Sequence, residues 1–266
     1  MDPIRPAAVA GIFYPEVAAQ LSAELHRYLD VSEPPAQRLP PKALIVPHAG
    51  YVYSGAIAAS GYRRLAAIAA TVQRVVLFGP AHRVPVKGLA APSTLSFATP
   101  LGAVPVDRAA VAAARSLPQV CEDDAAHGLE HSLEVQLPFL QTLLPAFRVV
   151  PFAVGAATAQ QVAAVMDLLW GGPETLIVVS SDLSHYHGYD EARVIDRATA
   201  DSILALSPTL SERQACGAAA INGLLTVARR RGLRPELLDL RSSGDTAGDA
   251  SRVVGYASFA FVPRPA

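Results

Sequence analysis

Mostly apolar runs recur along the chain at residues 43–46, 75–78, 149–154, 175–179 and 253–262. Runs of this length without polar alternation suit strands covered on both faces, as in a largely parallel sheet. Between them lie Ala- and Leu-rich stretches with helical spacing, at residues 55–70, 133–144, 158–169, 190–206 and 216–231. Alternating strands and helices predict a layered α/β fold, a single domain over residues 1–266 with helices flanking a central sheet. The proline-rich residues 32–41 read as a surface connection into the first buried strand.

Polar residues at the strand ends add chemistry to this outline. The first run leads into Pro47-His48-Ala49-Gly50-Tyr51, the second into Gly79-Pro80-Ala81-His82, and the fourth into Ser180-Ser181-Asp182-Leu183-Ser184-His185. Ligand sites of open α/β sheets lie beyond the carboxyl ends of the strands, so the three endings can converge. Imidazole suits Zn, Cu, Fe and Ni, and two histidines plus one carboxylate is the arrangement that holds non-haem iron. The loop Ser243-Gly244-Asp245, shortly before the last apolar run, offers a carboxylate, although Gly and Asp are also ordinary turn formers.

The segment from His127 to Leu140 opens a predicted helix. His127, His131 and Glu134 stand at spacings of four and three, which puts them on one helical face, and Pro138 is expected to kink the helix. That face is either solvated or turned toward the cleft. His185 is a candidate for proton transfer because imidazole titrates near neutral pH, with Asp182 as the carboxylate that orients it. His187 is expected on an outward-facing turn.

Composition narrows the function. A formal charge of −1 gives no electrostatic footprint for nucleic acid or an anionic membrane. Two cysteines, Cys121 and Cys216, are too few for a disulfide scaffold and read as buried apolar fillers. With no long apolar stretch at the N-terminus, a cytoplasmic protein is expected. Phosphate-binding, dinucleotide-binding and nucleophile-elbow motifs are all missing from the sequence.

Taken in order, these motifs resemble the Memo family, whose prokaryotic members are called AmmeMemoRadiSam system protein B. The resemblance runs from Ala10-Gly11-Ile12-Phe13-Tyr14-Pro15 through the three strand endings and His131-Ser132-Leu133-Glu134-Val135-Gln136 to Ser243-Gly244-Asp245 and Val254-Gly255-Tyr256-Ala257. It implies a fold shared with class III extradiol ring-cleaving dioxygenases, which hold non-haem iron with two histidines and a carboxylate. By position His48 and His82 match the two histidines. Asp245 stands as the third ligand, in place of a cysteine that the animal form carries near the C-terminal loop. The ring-cleaving enzymes also imply a non-ligating histidine at His185.

A divalent transition metal is therefore expected, iron first, with copper or zinc as alternatives. The family name further implies association with radical-SAM system proteins. Two function classes follow: redox or oxygenase-type chemistry on a small molecule, or a non-catalytic module that recognises a peptide or protein.

Overall fold

The computed structural model describes residues 3–30 and 39–264. The strands are β1 (Ile4–Arg5), β2 (Ala43–Val46), β3 (Arg74–Pro80), β4 (Leu89–Ala91), β5 (Ser96–Thr99), β6 (Gly102–Pro105), β7 (Val120–Glu122), β8 (Arg148–Val154), β9 (Thr175–Ser180), β10 (His185–His187), β11 (Leu233–Ser242) and β12 (Val253–Pro263). The helices are α1 (Ala18–Asp30), α2 (Tyr51–Tyr62), α3 (Arg108–Ala114), α4 (Ala125–Gly128), α5 (Leu137–Leu143), α6 (Ala159–Leu168), α7 (Tyr189–Leu204) and α8 (Ala218–Arg230).

All five apolar runs are strands of one nine-stranded sheet, ordered β10-β12-β2-β9-β3-β8-β4-β7, with β11 also paired to β12. Its centre, β2-β9-β3-β8, is parallel. Every residue of β2 and β9 is buried, as the absence of polar alternation requires when helices cover both faces. Antiparallel β12 and β11 extend one side. A separate three-stranded sheet, β1-β5-β6, holds the N-terminal segment. Most of the surface connection expected over residues 32–41 lies outside the described residues.

Register decides where the functional loops emerge. Val46 pairs with Ser180, Phe78 with Val179 and Pro80 with Val154, so the parallel strands end nearly level. His48, His82 and Asp182 each follow their strand by two residues and share one rim of the sheet.

The helix expected over residues 133–144 is shorter and begins later. A 3-10 turn, Glu134–Gln136, precedes α5, and Pro138 occupies its first turn. Proline has no N–H to donate, which costs nothing there because those N–H groups have no intrahelical acceptor. It therefore starts the helix rather than kinking it. Among the described residues no helix is long and apolar enough to cross a membrane.

Candidate metal centre

His48 leaves β2 into the interior and is only 2% exposed. Its backbone N–H donates to Asp182 Oδ1 at 2.7 Å, which ties the β2 ending to the β9 ending. Its ring Nδ1 lies 2.9 Å from Ser180 Oγ, on the last residue of β9. Burial first, and then the neighbouring His82, push this imidazole down to about 3, so it is uncharged at neutral pH.

His82 follows β3 and is more open to solvent. Glu130 holds it twice: the backbone N–H of His82 donates to Oε2 at 2.6 Å, and ring Nδ1 lies 2.9 Å from Oε1. The N–H of Ser132 adds a third donor to the same carboxylate. Burial opposes the charge on Glu130, yet the hydrogen bonds from His82 and Ser132 outweigh it and bring the carboxyl down to about 2. Sequence reading passed over Glu130. Its one available signal was a carboxylate directly before His131.

His131 completes the group. Its ring stacks on His82 at 4.7 Å between centroids and meets His48 edge-on at 5.4 Å, with Phe13 against it at 4.8 Å. Burial and then His48 push it down to about 4. One ligand atom from each of His48, His82 and His131 lies within 4.8 Å of the others, and this cluster can hold a metal ion. Ser132 reaches the β3 ending only because Gly79 has no side chain: a Cβ there would sit 2.6 Å from Ser132 Oγ.

Asp245, the expected third ligand, is not part of this group. Its exposed carboxylate accepts from Tyr189 Oη, and from Ser242 N at 2.7 Å, where it closes the turn Ser243–Asp245. The loop uses its Gly and Asp as turn formers. Glu134, expected beside His131, faces a different cluster: it pairs with Arg5 and accepts from Ala8 N, Val9 N and Tyr14 Oη. The 3-10 turn breaks the helical spacing that would have put the two on one face. His127 is buried and bonded to Ala90 O.

A cavity of about 880 Å³ opens beside the histidines, with Val86 and Val154 among its apolar walls and His82, His185, His187 and Cys216 among its polar ones. His185 thus borders the same space as His82. Its ring shares no hydrogen bond with Asp182 among the described residues; Oδ1 of that carboxylate accepts from the backbone of His48. His187, expected to face outward, also lines the cavity. Tyr186 between them has φ 63° and turns out to solvent, 64% exposed.

Neither cysteine is a plain filler. Cys121 is exposed on β7. Cys216 lies just before α8, with Sγ 3.4 Å from His48 Nε2 and 3.6 Å from Asp182 O. Burial and then the Asp182 carboxylate push its thiol up to about 12, so the sulfur keeps its proton. No spacing in the sequence links Cys216 to His48.

Fold and site together define a class: an α/β protein whose parallel sheet ends in a histidine cluster able to hold a metal ion. The chain belongs to the Memo family, whose profile, described as Memo-like protein, matches residues 5–260. A MEMO1 family protein of Archaeoglobus fulgidus is 38% identical, over 97% of this chain and 99% of that one. Those of Methanosarcina barkeri (36%, over 96% and 98%) and Aquifex aeolicus (33%, over 97% and 99%) are similar along the same length. Among solved structures, an uncharacterized protein of Escherichia coli K12, JW3007, superposes with a TM-score of 0.52, covering 84% of this chain and 99% of that one. At 14% identity the likeness is one of fold alone.

Proposed function

We propose that this chain holds one divalent transition-metal ion, iron first with copper and zinc as alternatives, through His48, His82 and His131, and carries out redox or oxygenase-type chemistry on a small molecule. The observation that supports the reading is the convergence of three imidazoles from three separate strand and loop endings beside a cavity of ligand size. An all-imidazole donor set fits a transition metal and suits Mg or Ca poorly. His48 and His131 are held uncharged by burial, so no proton has to leave either ring before it ligates. His131 takes the place that sequence reading gave to Asp245.

Bound there, such an ion supplies Lewis-acid polarisation and, for iron or copper, electron transfer. The chain's own residues supply the rest. The apolar walls around Val86 and Val154 exclude water from a substrate lying against His82. His185, which lines the same cavity as His82, is the group we assign to proton transfer. Asp182 anchors His48 through its backbone, and Cys216 lies within reach of the same ring. A cytoplasmic place rests on the cysteine content, and association with radical-SAM system proteins rests on the family resemblance.

Purification without oxygen followed by elemental analysis tests the reading. One iron or copper ion per chain is expected, with folded His48→Ala and His82→Ala proteins lacking it. Wild-type protein that stays metal-free when supplied with iron, copper and zinc in turn overturns the proposal.

A further inference from the structure

We infer that Gln136 and Tyr62, neither of which is hydrogen-bonded to the ring of His48, are positioning residues that decide which of its nitrogens is left free for a ligand. The inference rests on the metal-binding reading above, but its first observable does not need a metal.

Proton accounting carries the argument. Ser180 Oγ lies 2.6 Å from the carbonyl oxygen of Ser132. A carbonyl can only accept, so the single hydroxyl proton of Ser180 goes to it. Gln136 Nε2 lies 2.8 Å from the same Oγ and 2.9 Å from the carbonyl oxygen of Pro47. Only the amide nitrogen can donate to Pro47 O, which fixes the orientation of the Gln136 amide. Tyr62 Oη then donates to Gln136 Oε1 at 2.8 Å and holds that orientation from the other side.

Ser180 Oγ has therefore given away its proton and is already accepting one hydrogen bond. His48 Nδ1, 2.9 Å away, must be a donor as well. An uncharged imidazole carries one N–H, so Nε2 of His48 is bare. This is the nitrogen 3.4 Å from Cys216 Sγ and 4.0 Å from Asp182 Oδ2. The relay is pinned at both ends by backbone carbonyls, which neither flip nor titrate. All of its members are buried.

His82 reaches the same state by a different route. Both oxygens of Glu130 already accept from backbone N–H groups, Oε2 from His82 and Oε1 from Ser132, so Nδ1 of His82 donates to Oε1 and Nε2 is bare. Ser132 serves both rings, its N–H on Glu130 and its carbonyl on Ser180. His131 has no such device: its Nδ1 is buried without a hydrogen-bond partner, 3.4 Å from Glu130 Oε1. Two ligands are thus held in a set tautomer and one is not. Metal-ligating histidines owe affinity to the groups that fix their second nitrogen.

The test uses metal-free protein labelled with 15N at histidine, in which long-range proton–nitrogen correlation reads the protonation of each ring nitrogen. Wild type is expected to show His48 protonated at Nδ1 alone. Ser180→Ala and Gln136→Leu should give a mixture of tautomers at His48 while His82 stays protonated at Nδ1, which separates a lost relay from a lost fold. Tyr62→Phe should shift His48 in the same direction by less, and Ser180→Thr, which keeps the hydroxyl, should preserve the wild-type state. Zn(II) affinity should fall about 10–100-fold in Ser180→Ala and Gln136→Leu.

Wild-type His48 protonated at Nε2 overturns the proposal, even where a variant fails to fold. So does a Gln136→Leu protein that retains both the single tautomer and the affinity, while an unaffected Tyr62→Phe protein removes Tyr62 from the relay. If the tautomers are as expected and no metal binds, the metal-binding reading fails and the assignment of Gln136 to His48 orientation stands.

Discussion

Two buried polar clusters draw on the same stretch of chain, residues 127–136, and use it in opposite ways. Glu134 sits among four donors, from Arg5, Ala8, Val9 and Tyr14, and its lone pairs serve to hold the N-terminal segment against the core. Glu130, Ser132 and Gln136 direct their bonds, straight or through Ser180, at Nδ1 of His82 and of His48 and leave Nε2 of each without a proton of its own, that of His48 facing the Cys216 thiol at 3.4 Å. Both clusters are dense in buried polar groups. Only the second keeps ligand capacity in reserve, and that reserve distinguishes a site from an anchor.

The largest expected effect breaks the anchor and spares the site. Glu134→Ala leaves the Arg5 guanidinium buried without its counter-ion, which should cost about 3–5 kcal/mol of stability in urea unfolding. The folded fraction should still bind one metal ion per chain. Loss of metal binding at unchanged stability would reverse the roles of the two clusters.

Acid should act next, through the histidines. Burial holds His48 at about 3 and His127 at about 4, below the unfolded value of about 6.5. Above that value both states are uncharged. As pH falls below it the unfolded chain binds protons that the folded chain refuses, so stability is lost progressively from about pH 6.5 toward pH 4. Each of these two rings should cost about 2 kcal/mol by pH 5, and His131 adds to the same trend. Glu130, at about 2 when folded, adds its loss only below its ordinary value of 4.5. Urea midpoints of metal-free protein at pH 7 and pH 5 check this, and an unchanged midpoint would contradict it.

A smaller change sharpens the site itself. Glu130→Gln keeps the size of the side chain and removes the charged acceptor from His82 Nδ1, so metal affinity should fall about 10–100-fold. A competition titration with a chelator measures it. Affinity equal to wild type would show that Glu130 is structural only.

Much of this architecture was legible in the sequence. The five apolar runs became strands because residues buried on both faces of a parallel sheet leave no polar gaps, and their ends located His48 and His82. Short strands such as β4 and β7, of three residues each, carry no comparable signal. The helical reading of residues 127–134 hid Glu130, since neighbours in a helix do not share a face. Here α4 ends at Gly128 and the next turn begins at Glu134, so Glu130 and His131 lie in a loop and both turn to the histidine cluster. Asp245 looked like a ligand because a carboxylate beside a glycine suits a ligand loop and a turn equally well. Cys216 and His48 are 168 residues apart, and only the packing of the loop before α8 against the β9 ending joins them.

The central claim is that the third ligand is His131 and not Asp245. Metal content per folded chain, measured side by side after anaerobic loading for wild type, His131→Ala and Asp245→Ala, tests it most directly. The account predicts one ion in wild type and in Asp245→Ala, and strongly reduced content in His131→Ala. Full content in His131→Ala together with loss in Asp245→Ala would contradict it.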